Sequence, residues 1–277
     1  MLNQNYSSFG WSKRTGACLG AIALGVTALL LPSCTTETAE KTTVTTEDVA
    51  EVGGDRTQLI GKEVTVRNLP ERAVGKSAFV MEAQDGQPIL VVNATGTPFE
   101  LPGREIPVQA TGRVESLIIA DIEREYGLDL ENELYTDYER QPTIIAKSLA
   151  LAPNPRNLYE APISDFVNKP IAVEGELRKL DYTPNAFALF EEGWANDVGV
   201  LVVGVERNLK AQGSPLEEGG NVTVTGVARP FSAELVREAG LGWNDEQIRE
   251  FEARYTNRPV IVADGVYPSA VPPVPGS

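Results

Sequence analysis

Apolar and polar residues alternate along much of this chain, in short runs that are separated by glycine-containing turns. Alternation with a period of two is the pattern of a half-buried β-strand, and it is clearest in residues 108–114 and 222–228. Residues 89–93 and 200–205 are apolar almost throughout and have the length of core strands. The pattern therefore predicts a mainly β protein.

The same series of segments occurs twice along the chain, in the same order. Matching pairs are Gly61-Lys62-Glu63-Val64-Thr65-Val66 with Asn168-Lys169-Pro170-Ile171-Ala172-Val173, Ala78-Phe79 with Ala186-Phe187, Val108-Gln109-Ala110-Thr111-Gly112 with Val222-Thr223-Val224-Thr225-Gly226, Gly127-Leu128 with Gly240-Leu241, and Pro142-Thr143-Ile144-Ile145-Ala146 with Pro259-Val260-Ile261-Val262-Ala263. Preserved order over the length of a domain indicates an internal duplication.

Each copy predicts five strands and one helical segment before the last strand. The predicted strands are residues 64–69, 78–82, 89–93, 108–114 and 143–149 in the first copy, and 171–180, 186–191, 200–205, 222–228 and 260–266 in the second. Gly127 and Gly240 are predicted to split each helical segment into two short helices.

Apolar spacing predicts that each helical segment has one buried face. In the first copy an apolar residue recurs every fourth position, at Ile122, Tyr126, Leu130, Leu134 and Tyr138. In the second copy the stripe is Ile248, Phe251 and Tyr255, and Asn244 with Gln247 predicts a capping box at the helix start.

Five strands with glycine-punctuated turns resemble the OB-fold, a five-stranded Greek-key barrel. Residues 47–155 and 162–270 resemble in particular tandem-domain bacterial cell-envelope lipoproteins of uncharacterised function, on the repeated motifs above. The predicted fold is thus mainly β with short helices (α+β), built as two tandem small OB-like barrels. The helical segment departs from the common OB order, in which it lies between strands three and four, so an SH3-like or other small barrel stays open. The resemblance carries no catalytic residues.

The N-terminal residues form a secretion signal. Lys13 and Arg14 precede the apolar run 17–31, which is shorter than the ~20 residues of a spanning helix. The ending Leu31-Pro32-Ser33-Cys34 resembles the bacterial lipobox, which implies a lipoprotein whose Cys34 carries acyl chains such as palmitate. An ordinary secretory signal or an uncleaved anchor are the alternatives. Thr35 in place of an aspartate slightly favours the outer membrane over the inner one, by the same resemblance.

The predicted organisation follows from these segments. It comprises a signal peptide (1–33), a Thr-rich tether (34–46), barrel 1 (47–152), a proline-containing linker (153–161), barrel 2 (162–268) and a Pro-rich tail (269–277). The globular part is expected outside the cytoplasm, in the periplasm if there are two membranes. Cys18 lies in the signal, so the mature chain has no disulfide.

Composition excludes several functions. The chain has 24 Lys+Arg, 39 Asp+Glu and no histidine. Removal of residues 1–33, which contain Lys13 and Arg14 and no acid, leaves 22 bases against 39 acids, a net charge of −17. Such a chain repels nucleic acids. Without histidine there is no Ser-His or Cys-His nucleophile system, whereas carboxylate-only mechanisms survive.

A few residues are candidates for chemistry. Acidic residues surround the first helical segment, and Asp121, Glu125 and Asp129 are candidate ligands of a hard cation. Their spacing spreads them over several helix faces, which favours a solvated surface. Trp194 and Trp243 are candidate binding anchors at a barrel rim, with packing back on the barrel as the alternative.

These observations predict a membrane-anchored, non-enzymatic binding or scaffold module of the envelope, with no cofactor. Its predicted partners are the lipid bilayer, through Cys34, and an envelope protein. One alternative is a small-molecule or divalent-cation binder that uses a cleft between the barrels. A carboxylate-based hydrolase comes third, because nothing in the sequence positions a pair of acids across a groove.

Overall fold

The computed structural model describes residues 56–268, except 83–87, 104–105, 181–182, 184, 192, 195–198, 205–209, 212–213 and 216. Cys34, the signal peptide, the tether and the tail lie outside the described residues. The described chain begins with a 3₁₀ turn, Arg56–Leu59. No helix in the described part of the chain is long and apolar enough to cross a membrane.

The described chain is mainly β, as predicted. Its strands are β1 (Glu63–Asn68), β2 (Pro70–Val74), β3 (Ala78–Met81), β4 (Ile89–Asn93), β5 (Val108–Ser116), β6 (Pro142–Leu151), β7 (Pro170–Lys179), β8 (Ala186–Phe190), β9 (Val200–Val203), β10 (Lys210–Ala211), β11 (Ser214–Pro215), β12 (Asn221–Pro230) and β13 (Pro259–Pro268). Its helices are α1 (Ile119–Tyr126), α2 (Asn132–Tyr135), α3 (Pro155–Glu160), α4 (Ala233–Glu238) and α5 (Asp245–Tyr255).

The second half contains a closed five-stranded barrel. Around the ring, β7 pairs with β8, β8 with β9, β9 with β13, β13 with β12, and β12 with β7. The β9–β13 pairing is parallel and the other four are antiparallel. The predicted strands of this half are therefore confirmed in order and, within a few residues, in extent.

In the first half the same neighbours recur around a first strand that is interrupted. β1 pairs with β5, and β2 pairs with β3. In the second half the single strand β7 makes both of the corresponding pairings, with β12 and with β8. The first strand of the first half is thus interrupted at Leu69. The remaining pairs are β3–β4, the parallel β4–β6, and β5–β6. The residues Gly75-Lys76-Ser77 form the turn between β2 and β3.

The central strands of both halves are buried on both faces, which explains why their sequences do not alternate. In β9, Val200 and Val202 point into the core of the barrel, whereas Leu201 and Val203 point outward and pack under α4 and α5. The outward residues of β3 and β4 pack in the same way under α1 and α2. The helical segment of each half is therefore a second layer over the outer face of its strands.

The helical predictions are confirmed in their main features. Gly127 and Gly240 have φ angles of 66° and 64° and end the first helix of each segment in the left-handed conformation. Asn244 and Gln247 form the predicted capping box of α5. The single stripe predicted for the first segment is wrong at Leu134, which is 49% exposed, because the break at Gly127 changes the direction of the chain.

Residues 153–161, predicted as a linker, contain a helix that the sequence analysis missed. The Asn154 side chain accepts a hydrogen bond from the Asn157 N–H at 2.7 Å, and Pro155 occupies the first helical turn, where a proline is well tolerated. Leu158 is fully buried in the core cluster that residues of both halves share. The junction thus contributes to the core.

The two halves also meet through matching positions of the duplication. Arg67 Nη1 lies 3.2 Å from Glu174 Oε2, and Arg67 Nη2 donates to Gln109 Oε1 at 2.9 Å. Arg67 follows Val66 as Glu174 follows Val173, so one position bears opposite charges in the two copies. A parallel pairing of β6 with β7 at Leu151 and Ile171 completes the junction.

Tyr135 connects α2 to β2, and its buried hydroxyl should make the protein less stable at high pH. Its hydroxyl donates to the Val74 carbonyl at 2.9 Å, and burial, with the Glu131 charge, raises its pKa to about 12. Its pKa in the unfolded chain is about 10. Stability from this group is therefore complete below pH ~10 and is lost as the pH rises toward 12, by at most about 1.4 kcal/mol per pH unit. Urea unfolding at pH 8, 10 and 11.5 should show a shallower decline for Tyr135→Phe; equal slopes would contradict this role.

Candidate functional site

A cleft of about 410 Å³ opens where β5 ends and α1 begins. Its lining comes from the turn at Ile60 and Gly61, from the end of β5, and from α1 with the residue before it. Ile60 and Ile118, on its lining, are 43% and 45% exposed. Exposed apolar residues around a concavity are a feature of binding sites.

The cleft also contains charged side chains. Its lining includes the side chains of Arg113, Glu115, Asp121, Arg124 and Glu125, with one more acid than bases. Arg124 Nη2 lies 2.6 Å from Asp121 Oδ1, so these two charges satisfy each other. Among the described residues, Glu115, Glu125 and Arg113 have no ion-pair partner.

The Tyr126 hydroxyl brings the two unpaired carboxylates into one local group. It donates to Glu115 Oε1 at 2.8 Å. Burial is the largest cause that raises the pKa of Tyr126, followed by its interactions with Glu115 and then with Glu125. A hydroxyl has a single hydrogen to donate, so it serves one carboxylate at a time. Glu115 and Glu125 therefore retain carboxylate oxygens that can accept further hydrogen bonds.

The second half has an ion pair between the corresponding strand and helix. Glu115 and Arg229 are each the third residue after the glycine at a β-bulge, and Arg124 and Glu238 are each the sixth residue after the helix N-cap, Ile118 or Ser232. In the second half Arg229 Nη1 lies 2.8 Å from Glu238 Oε2. In the first half the charges are exchanged, with Glu115 on the strand and Arg124 on the helix, and Arg124 pairs with Asp121 instead.

The start of the helix differs between the halves as well. In α4 the Ser232 side chain accepts a hydrogen bond from the Leu235 N–H at 3.1 Å. In α1 the corresponding residue is Ile118, which makes no cap bond. Isoleucine is among the least favourable N-cap residues. The first half thus departs from two stabilising arrangements, and both departures line the cleft, as is expected of functional positions.

The candidate metal ligands are only partly brought together. Asp121 and Glu125 line the cleft, whereas Asp129 lies between α1 and α2 and does not line it. Asp121 is already paired with Arg124. The described residues contain no group of three or more acidic or cysteine side chains that could hold a metal ion. The cation site at these residues stays a prediction.

Trp194 packs back on the barrel while keeping part of its surface exposed. Its ring meets the edge of Tyr159 at 5.3 Å between centroids and lies 6.1 Å from Phe190. The rings are flanked by guanidinium groups, with Arg178 over Phe190 at 4.1 Å and Arg258 over Tyr159 at 4.4 Å. The binding role of Trp194 stays a prediction.

Trp243 is not a surface anchor and follows the alternative interpretation, packing back on the barrel. It is buried under α5, with its ring 4.2 Å from the ring of Phe251. Its Nε1–H donates to Thr183 Oγ1 at 3.0 Å inside the protein. Packing against the barrel and the helix excludes the ring from solvent, so Trp243 belongs to the core.

Sequence reasoning missed Glu115, Arg113 and Ile118. Glu115 belongs to the preceding strand, so its position in the sequence does not associate it with the acids of the helical segment. An alignment of the two copies position by position offers the one available signal, since Glu115 matches Arg229 and reverses its charge.

Comparison with known proteins adds no assignment. No protein-family model matches this chain, and a search of curated proteins finds no match.

Proposed function

We propose that this protein is a non-enzymatic binding module of the bacterial cell envelope that is anchored through lipidated Cys34 and holds a partner protein in the cleft of its first half. The observation that carries the proposal is the cleft itself. The cleft combines exposed isoleucines with charged side chains that have no ion-pair partner among the described residues. At the corresponding place the second half has a serine helix cap and the Arg229–Glu238 ion pair.

The covered strand faces support this choice of site. OB-fold barrels bind ligands on the outer face of their central strands. Here that face packs under α4 and α5 in the second half, and the corresponding strands of the first half pack under α1 and α2. A ligand therefore needs another surface, and the cleft beside α1 is open.

The same proposal takes the first half as a second barrel of the OB type. The first strand would run through β1 and β2 with a bend at Leu69, so that its two ends pair with β5 and β3. The duplicated motifs and the shared order of neighbours support this view. The first half would then contain the binding cleft, and the second half would stabilise the first through the shared core.

Site-specific photocrosslinking of the full-length chain in envelope membranes tests the proposal. A photoreactive residue at Ile60 is expected to give an adduct with an extracytoplasmic protein. The same residue at Tyr267, a similarly exposed apolar position on β13, serves as the matched control. The Ile60 adduct should weaken severalfold in Ile118→Ser, which removes apolar surface from the cleft and adds the serine cap that the second half has.

Ile118→Ser is expected to leave the free energy of unfolding within about 1 kcal/mol of wild type, because the added cap offsets the lost apolar contact. Its loss of crosslinking would therefore not reflect unfolding. Adducts of equal strength at positions 60 and 267, or none at 60, would contradict the binding proposal. Soluble product released from envelope glycans by the purified chain would instead favour the carboxylate-based hydrolase.

A further inference from the structure

Building on the proposed function, we infer that the partner protein enters the cleft as an extended segment, which adds a short strand to β5 beyond the end of β1 and pairs with the backbone of Ser116 and Ile118. The inference states how the partner is recognised. It can fail while the cleft remains a protein-binding site.

The pairing between β1 and β5 ends before β5 does. The Val114 N–H donates to the Lys62 carbonyl at 2.9 Å, and the Val114 carbonyl accepts from the Gly61 N–H at 2.8 Å. Before Gly61 the chain leaves the sheet and forms the 3₁₀ turn Arg56–Leu59, whereas β5 continues to Ser116. Among the described residues, no strand pairs with this last part of β5 on the β1 side.

Ser116 and Ile118 direct backbone groups toward that edge. Between them, Leu117 bonds toward β6, where its N–H donates to the Gln141 carbonyl at 3.0 Å and its carbonyl accepts from the Arg140 N–H at 2.7 Å. Backbone groups of successive residues in a strand alternate between the two edges, so Ser116 and Ile118 face the opposite side from Leu117. Ile118 is still extended, with a φ of −113° and a ψ of 102°.

The cleft thereby receives hydrogen-bonding groups of the backbone. Ser116 presents its N–H and its C=O, and Ile118 presents its N–H, since the Ile118 carbonyl already accepts from the first turn of α1. Both residues line the cleft, and these groups have no hydrogen-bond partner within the described part of the chain. An unpaired strand edge is a template for pairing with another extended chain. The groups therefore fit the backbone of an extended peptide.

The second half closes the same edge with a proline. Ser116 and Pro230 are each the fourth residue after the glycine at a β-bulge, and they lie opposite Pro142 and Pro259. Proline has no N–H to donate, and proteins commonly protect strand edges from pairing in this way. The two halves thus differ in this donor, and the first half keeps it at the position where the cleft opens.

The surroundings of the edge favour a segment whose residues alternate between apolar and polar. A strand that takes the direction of β1 runs antiparallel to β5, so one of its residues can exchange two hydrogen bonds with Ser116. The residue two positions earlier can then accept from the Ile118 N–H. Side chains of a strand alternate between its faces, so every second one can contact Ile60 and Ile118, which are 43% and 45% exposed.

Ser116→Pro removes the N–H that the inference requires and reproduces Pro230 of the second half. The test repeats the Ile60 photocrosslinking of the full-length chain in envelope membranes. The adduct is expected to weaken about fivefold or more in Ser116→Pro, the effect of one lost hydrogen bond. In Ser116→Ala, which loses the hydroxyl and retains the N–H, it should stay within about twofold of the unchanged chain. Adducts of equal strength in the two variants would overturn the inference.

Ser116→Pro should fold, with Tm within about 3 °C of wild type, because Ser116 faces away from β6 and contributes no hydrogen bond to that pairing. If it does not fold, hydrogen exchange of the unaltered full-length chain in detergent decides. After correction for intrinsic rates, the amides of Ser116 and Ile118 should exchange about a hundredfold faster than those of Val114 and Leu117. Equally slow exchange would mean that the chain itself covers the edge, and the inference would fail.

The outcomes separate this inference from the proposed function. Absence of an Ile60 adduct in the unaltered chain would contradict the proposed function itself. An adduct that Ser116→Pro leaves unchanged would remove only the strand pairing. An adduct between two copies of this chain would assign the edge to a second copy, which contradicts its assignment to a different partner protein.

Discussion

Trp243→Ala is expected to lower the free energy of unfolding by about 3–5 kcal/mol, the range for removing a large buried aromatic side chain. The indole is 9% exposed, packs against Phe251, and bonds Thr183 across 60 residues of sequence. Its loss leaves a cavity between the helical layer and the outer face of the barrel. Equilibrium urea unfolding monitored by circular dichroism measures the change.

Trp194→Ala is the matched control, because it removes the same side chain from a half-exposed position. It should cost about 1 kcal/mol, since Tyr159 and Phe190 cover only part of the ring. Similar losses for the two tryptophans would contradict the assignment of Trp243 to the core. Weaker crosslinking at Ile60 in Trp194→Ala would show that the partner reaches the second half.

Gly226→Ala is expected to lower the free energy of unfolding by about 3 kcal/mol. A Cβ at this position would lie 2.1 Å from the Val262 carbonyl oxygen, closer than any real contact, and the neighbour is backbone that cannot turn aside. The glycine sits at the β-bulge where β12 crosses β13, and close backbone approach at such points requires glycine. Thermal and urea unfolding give the measurement.

Two further alanine variants calibrate this result. Gly112→Ala should be similarly destabilised, because a Cβ there would lie 2.0 Å from the Ile145 carbonyl oxygen at the matching bulge. Gly103→Ala meets no neighbour within 4 Å of the new Cβ in the described part of the chain and should change stability by less than about 0.5 kcal/mol. A tolerated Gly226→Ala would show that the crossing strands can separate at the bulge.

Local patterns in the sequence are enough to predict most of the secondary structure. Strand positions followed from period-two alternation and from short apolar runs, and the duplication made each prediction twice. The capping box at Asn244 and the helix breaks at Gly127 and Gly240 depend on neighbouring residues, so they were predicted correctly. The short helix α3 was missed because two prolines in three residues also fit an extended linker.

The candidate site was only partly predictable. Asp121 and Glu125 were singled out because acids cluster around one helical segment, which is visible in the sequence. Glu115 was not, since it reaches the cleft from a different element. For Trp243 the sequence leaves a choice between a surface anchor and packing on the barrel, because its burial depends on Thr183 and Phe251, which the fold alone brings to it.

The sequence by itself determined the strands, the internal repeat, the helix ends and the strong negative charge, because each of these depends on composition or on residues that are close along the chain. Only the tertiary structure decided which surfaces remain open. Apolar runs such as those of β4 and β9 show that a strand is buried on both faces, but not that its own helical segment covers one of them. The sequence shows that Glu115 and Arg229 differ in charge. Only the fold shows that Arg229 reaches an acid on the following helix whereas Glu115 lies in an open cleft.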